Sequence, residues 1–168
     1  FAPGGGADTI VELYSGNQIV FGAGILASGV TASRTGSQVK LSVSATDSIS
    51  FTETAPGWFP IDTVVFAAGP IWYASDLRQM LNSAPTGTVS VSGATVQNQT
   101  LTAANTLADA NGLGSIGYQW QSSANAGVTW TAIGGATGAS FTLTEAQVGK
   151  LVRVNASYTD GRLTEESK

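Results

Sequence analysis

Val39-Lys40-Leu41-Ser42-Val43, followed across Thr46-Asp47 by Ile49-Ser50-Phe51-Thr52, alternates apolar with polar side chains on both sides of a turn. Strict alternation is the period of a half-buried strand, because successive side chains leave opposite faces of a pleated backbone. The two runs therefore read as a β-hairpin. Working outward, Ile61 to Phe66 offers another strand. Ser75 stands where a helix N-cap is expected, for a short helix over Asp76 to Leu81 with Leu77, Met80 and Leu81 on one face. Beyond it, Asn82-Ser83-Ala84-Pro85-Thr86-Gly87 is polar and interrupted by Pro and Gly, the composition of a linker.

Downstream, strand-like runs recur at Val89 to Ser92, Thr100 to Leu107, Ile116 to Ser122, Thr129 to Ile133, Ser140 to Leu143 and Leu151 to Tyr158. Short, regularly spaced strands bounded by turn residues predict a β-sandwich. Tyr118 and Trp120 fall on one face of their strand and Gln119 and Gln121 on the other, while Glu145 to Gly149 reads as a tight corner that delivers Val152, Val154 and Ala156 inward. The fold class is all-β: a small domain over 1–81 with one short helix, a linker over 82–87 and a β-sandwich over 88–168.

Composition supports this and excludes much else. The hydrophobic fraction of 42% in 168 residues is enough to fill packed cores, and 21 glycines suit many tight turns. A net charge of −4 with seven scattered basic residues argues against a nucleic-acid partner. No apolar run of about 18 residues is present to insert in a membrane, and Phe1 to Asp8 lacks the basic and then apolar start of a secretory signal. An opening Phe without Met is expected of a processed or internal segment. Without His or Cys there is no Ser-His-Asp or Cys-His nucleophile system, no His-based or thiolate zinc site and no disulfide, so the chain is expected not to be an enzyme.

Ile19 to Ile25, then Arg34, Gly36, Leu41, Asp47-Ser48-Ile49, Ile61 to Ala67, Trp72 and Leu77, resemble the haemolysin-type calcium-binding related domain over about residues 17–78. Gly4-Gly5-Gly6-Ala7-Asp8-Thr9-Ile10-Val11 is similar to one of the RTX nonapeptide repeats that this domain follows. The resemblance implies a large secreted bacterial protein exported by type I secretion. It also implies a β-roll turn in which Asp8 offers a carboxylate to calcium and Ile10 faces the roll interior. Pro3 replaces an expected Gly, and the next turn, Ser15-Gly16-Asn17-Gln18-Ile19, has Asn17 in place of Asp.

Asn105 to Gly114, Tyr118-Gln119-Trp120-Gln121, Trp130, Ile133, Gly135-Ala136-Thr137, Thr142-Leu143, Val148-Gly149-Lys150 and Tyr158-Thr159-Asp160-Gly161 resemble the bacterial Ig-like repeat of giant adhesins, over roughly residues 86–168. Trp120 resembles the strand C tryptophan of Ig sandwiches, while the disulfide is missing and Leu151 occupies the region of the tyrosine corner. The resemblance implies a calcium site at Asp109 and Asn111 assisted by Asp160, although Asn111 substitutes an amide for a carboxylate. The same residues also suit an Asx turn.

Among the remaining constellations, Asp47 with Glu53 and Glu165 with Glu166 read as solvated turn and terminal charges rather than a glycosidase pair. Gly4-Gly5-Gly6 is no phosphate loop, since neither strand nor Lys-Ser flanks it. Trp58, Phe59, Trp72 and Tyr73 form aromatic clusters suited to a glycan or a neighbouring subunit. Two functions follow as expectations. One is an extracellular structural or adhesive module at the bacterial cell surface, a spacer or filament subunit whose partners are neighbouring domains or copies of itself. The other is a calcium- or carbohydrate-binding accessory module of a secreted RTX-type enzyme or adhesin. A short last strand after Leu163 is expected to leave a sandwich edge for a neighbour to cover.

Overall fold

A computed structural model describes residues 1–11 and 16–168; Ser15 of the second candidate turn lies outside them. The protein is all-β and divides into two compact units. Unit 1 comprises Phe1–Asn82 with Arg162–Thr164, and unit 2 comprises Ser83–Gly161 with Glu165–Lys168.

Unit 1 holds two sheets. In the first, β1 (Ala7–Ile10) runs parallel to β5 (Ser48–Thr52), which pairs antiparallel with β4 (Gln38–Ser42) and through it with β3 (Thr31–Thr35). The hairpin read from alternation is β4–β5. Its inward residues Val39, Leu41 and Phe51 are fully buried. In the second sheet, β2 (Asn17–Phe21) runs parallel to β6 (Ile61–Phe66), which pairs antiparallel with β7 (Ile71–Tyr73). Asn17, which stands where the repeat expects Asp, opens a strand, and its side chain donates to Pro60 O at 3.1 Å.

Both sheets send side chains into one core: Ile19 and Phe21 from β2, Ile49 and Phe51 from β5, and Ile61, Val64 and Phe66 from β6. The β2–β6 register slips at Asn17/Gln18, skipping Asp62. That bulge is why Ile61 and Val64, three apart, both point inward. Phe21 stacks on Phe66 at 5.2 Å, and Phe66 meets Trp72 edge-on at 4.7 Å.

The helix α1 (Ala74–Met80) begins earlier than read. Its N-cap is Tyr73, not Ser75, because the Asp76 carboxylate reaches back to accept from Tyr73 N–H at 2.7 Å. Leu77 and Leu81 are buried while Met80 is 43% exposed, so Met80 lies off the packed face.

Asp47 and Glu53 are buried, which corrects their reading as solvated turn charges. Asp47 Oδ2 and Oδ1 accept from Gly4 N–H and Gly6 N–H, each at 3.0 Å, and the Ser44 hydroxyl donates at 3.1 Å. Gly4 and Gly6 both have positive φ, which lets their amides converge on one carboxylate. These bonds hold the carboxyl of Asp47 below the ordinary carboxylate range against the opposing effect of burial. Glu53 lies 3.8 Å from the Arg34 guanidinium.

Unit 2 has one sheet of β12 (Ser140–Thr142), β9 (Thr100–Asn105) and β8 (Val89–Ser92). A second sheet has β11 (Thr131–Ala132), β10 (Gly117–Ser123), β13 (Leu151–Thr159) and β14 (Glu165–Ser167). All pairings are antiparallel. Leu101 and Ala103 from the first sheet meet Trp120, Val152 and Val154 from the second, which makes a sandwich. Trp120 is fully buried; its indole N–H donates to Gly138 O at 2.9 Å and its ring lies 5.6 Å from Phe141.

Some boundaries differ from the sequence reading for a local reason. Strand β9 stops at Asn105, whose carboxamide oxygen accepts from Leu107 N–H in a local turn. Strand β11 is shortened because Asn125 captures Thr129 N–H and Oγ1. From Ser83 onward the expected linker is bound into unit 2: Thr86 N–H donates to Ala108 O, Ser83 N–H donates to Asn111 Oδ1, and Pro85 is buried.

Candidate functional site

The loop after β9, the end of β13 and strand β14 bring three carboxylates together in unit 2. One carboxylate oxygen from each of Asp109, Asp160 and Glu166 lies within 4.8 Å of the other two. Asp109 Oδ1 accepts from Asn111 N–H at 2.7 Å, the Asx turn that composition allowed, and Oδ2 accepts from Tyr158 Oη at 2.7 Å. Gly161 N–H donates to Gly112 O at 2.8 Å, joining the two loops directly. Gly114 permits the approach, because a Cβ there would collide with Thr159 O.

Burial is unequal across the group. Asp160 is 4% exposed, whereas Asp109 and Glu166 are half-buried. Burial, then the hydrogen bond and charge of Asp109, push the Tyr158 phenol far above its ordinary value, so it remains a proton donor to Asp109.

Sequence reasoning placed Asp109, Asn111 and Asp160 in one metal site. Asp109 and Asp160 do come together. Asn111 Oδ1 accepts from Ser83 N–H at 2.9 Å, which anchors the start of unit 2. Glu166, which sequence reasoning does not place there, joins Asp109 and Asp160 in the group. It stands opposite Tyr158 in the β13–β14 register, whereas Glu165 stands opposite Thr159 and accepts from its hydroxyl at 2.6 Å. Alternation along Glu165-Glu166 separates the two acids, and only the register shows which one faces the loop. Asp8, on exposed β1 of unit 1, belongs to no such group among the described residues.

The donor set is all oxygen, as hard cations require, and three carboxylates offer up to six oxygens toward the six to eight that calcium takes. The two hydrogen-bonded oxygens of Asp109 each retain a second lone pair. Asp109, Asp160 and Glu166 thus fit a hard divalent cation in chemistry, with backbone carbonyls or water completing the shell.

The aromatic candidates separate sharply. Phe59 and Trp72 are core residues of unit 1, not surface contacts: Phe59 packs edge-on against Phe51 at 6.0 Å, and Trp72 against Phe66. Trp58 and Tyr73 are 60% and 55% exposed. The Ala55–Trp58 turn, closed by Trp58 N–H donating to Ala55 O at 2.8 Å, turns Trp58 out and Phe59 in. Tyr73 and Trp72 are split by strand alternation on β7.

A family model described as a domain of unknown function (DUF8696) matches residues 85–166, nearly all of unit 2. No curated protein and no solved structure matches the chain. Among the described residues, no helix is long and apolar enough to cross a membrane.

Proposed function

We propose that the chain is a non-catalytic structural segment of a large extracellular bacterial surface protein, an RTX-associated β domain followed by an Ig-like repeat that acts as a spacer or self-associating building block. The observation that carries this reading is the strand order of unit 2. Strands β8, β9 and β12 face β11, β10, β13 and β14, corresponding to A, B, E against C′, C, F, G of an Ig-type sandwich, with Trp120 buried on the strand C equivalent. In unit 1, β1 and β2 lie parallel to β5 and β6 in the same chain order, as successive turns of a parallel roll do, which supports the RTX association. Electron microscopy of the purified chain tests the reading. Filaments or end-to-end chains are expected with rising concentration, and separate particles throughout overturn self-association.

The second reading, a calcium-binding accessory module, is favoured by the Asp109–Asp160–Glu166 group. A bound cation would neutralise three clustered negative charges and clamp the loop after β9 to β13. Calcium bound only by the folded protein raises Tm over its value in chelator, and Asp160→Asn abolishes the difference. Equal Tm values in calcium and chelator overturn it. Carbohydrate binding rests on exposed Trp58; a glycan array with wild type and Trp58→Ala decides it.

A further inference from the structure

Asn111 and Gly112 form the single Asn-Gly step of the chain. In such a step the glycine amide nitrogen attacks the asparagine side-chain carbonyl carbon and closes a succinimide ring. Glycine favours the attack because it carries no Cβ to hinder the approach and turns its backbone freely. An unfolded chain therefore has one asparagine that is chemically more labile than the rest.

The fold holds both reacting groups apart. Gly112 N–H donates to Asp109 O at 3.1 Å, and Gly112 O accepts from Gly161 N–H at 2.8 Å, so the backbone on either side of Gly112 is pinned. An amide proton held by a carbonyl is not surrendered to solvent base, and a pinned peptide does not swing its nitrogen over the side chain. Asn111 is held as firmly. Its N–H donates to Asp109 Oδ1 at 2.7 Å, its Oδ1 accepts from Ser83 N–H at 2.9 Å, and the residue is buried. Every one of these contacts lies within unit 2.

We infer that Asn111–Gly112 is a self-modification site gated by the fold: the closed Asp109–Gly112 turn suppresses cyclisation, and opening of this loop releases it. In the opened chain, solvent base takes the Gly112 N–H proton and the nitrogen bonds to Asn111 Cγ. The Cγ–Nδ2 bond breaks, and Nδ2 leaves as ammonia with a proton supplied by water. Water then opens the ring at either carbonyl. Cleavage at Cγ gives aspartate at position 111, which keeps a side-chain oxygen for Ser83 N–H and re-forms the turn. Cleavage at the main-chain carbonyl gives isoaspartate, whose main chain runs through the former side chain. The extra methylene before the Gly112 nitrogen keeps Gly112 N–H and C=O from reaching Asp109 O and Gly161 N–H together. Opening of the loop is thereby recorded in the covalent chain, and the isoaspartyl form does not reclose.

The gate needs neither self-association nor a bound cation. To test it, the 168-residue chain is held in mildly alkaline buffer, folded and in guanidinium chloride, and position 111 is followed by peptide mass spectrometry for replacement of the side-chain NH2 by OH. The unfolded chain is expected to react at Asn111 before any other asparagine. The folded chain is expected to react there at least about tenfold more slowly, because cyclisation waits on rupture of the Gly112 and Ser83 hydrogen bonds. Gly112→Ala, compared in guanidinium chloride only, should slow the unfolded reaction, since its Cβ hinders the attack. On return to native buffer, the aspartyl fraction should regain a Tm close to that of the unmodified chain and the isoaspartyl fraction a lower one. Equal rates in the folded and unfolded chains overturn the gate, and an Asn111 that is unreactive when unfolded, or unaffected by Gly112→Ala, overturns the site. An isoaspartyl form that refolds to the unmodified Tm overturns the block on reclosure.

Discussion

Tyr158 Oη donates to Asp109 Oδ2 at 2.7 Å across 49 residues of chain, tying the end of β13 to the loop that leaves β9. The bond sits at the wall of the Leu107–Ala156–Tyr158 cluster, where water is excluded from the ring and a lost donor is not replaced cheaply. Tyr158→Phe is therefore expected to destabilise unit 2 by about 1–3 kcal/mol, measured by urea unfolding.

The same phenol makes an alkaline prediction. Its folded value is raised above that of an unfolded tyrosine, near 10, so the fold holds the proton more tightly than the unfolded chain does. Its contribution is complete below about pH 10 and is lost progressively above it. Tm followed from about pH 8 to 11 should fall less steeply in Tyr158→Phe than in wild type; parallel curves would remove Tyr158 as the cause.

At the other end of the scale, Asp47 is held below the ordinary range by Gly4, Gly6 and Ser44 donors. A depressed carboxyl stabilises the fold above its unfolded value, about 3.9, and that stabilisation is lost as pH falls through the folded value. Asp47→Asn is expected to lower Tm at neutral pH and to flatten its acid decline. Proteolysis should also reach Phe1–Ile10 sooner, because the Gly4 and Gly6 amides lose their anionic acceptor.

Trp58 and Phe59 are adjacent but not equivalent. Phe59→Ala removes a ring from the core and should cost about 3–5 kcal/mol. Trp58→Ala, on the exposed side of the turn, should change stability by no more than about 0.5 kcal/mol. Equal losses in chemical denaturation would mean that Trp58 is a packing residue.

Trp120→Ala, which removes the largest fully buried side chain, is expected to cost about 3–5 kcal/mol. Trp120→Phe retains part of the packing but orphans Gly138 O, so it should fall between Ala and wild type in the same denaturant series.

By itself the sequence determined the all-β class and the positions of most strands, because a period of two is written in neighbouring residues: Val39 and Leu41 against Lys40 and Ser42, Tyr118 and Trp120 against Gln119 and Gln121. Short-range chemistry was legible too, as in the Asp109–Asn111 turn. Tertiary structure alone decided which distant groups meet. Asp47 collects amides from Gly4 and Gly6, more than 40 residues earlier, and Glu166 rather than Glu165 joins Asp109 and Asp160. Alternation states that two neighbours face opposite ways, but not which face is covered or what stands across from it. Those depend on strand register and on which sheet packs over which face, and both are set by long-range pairing that no local pattern encodes.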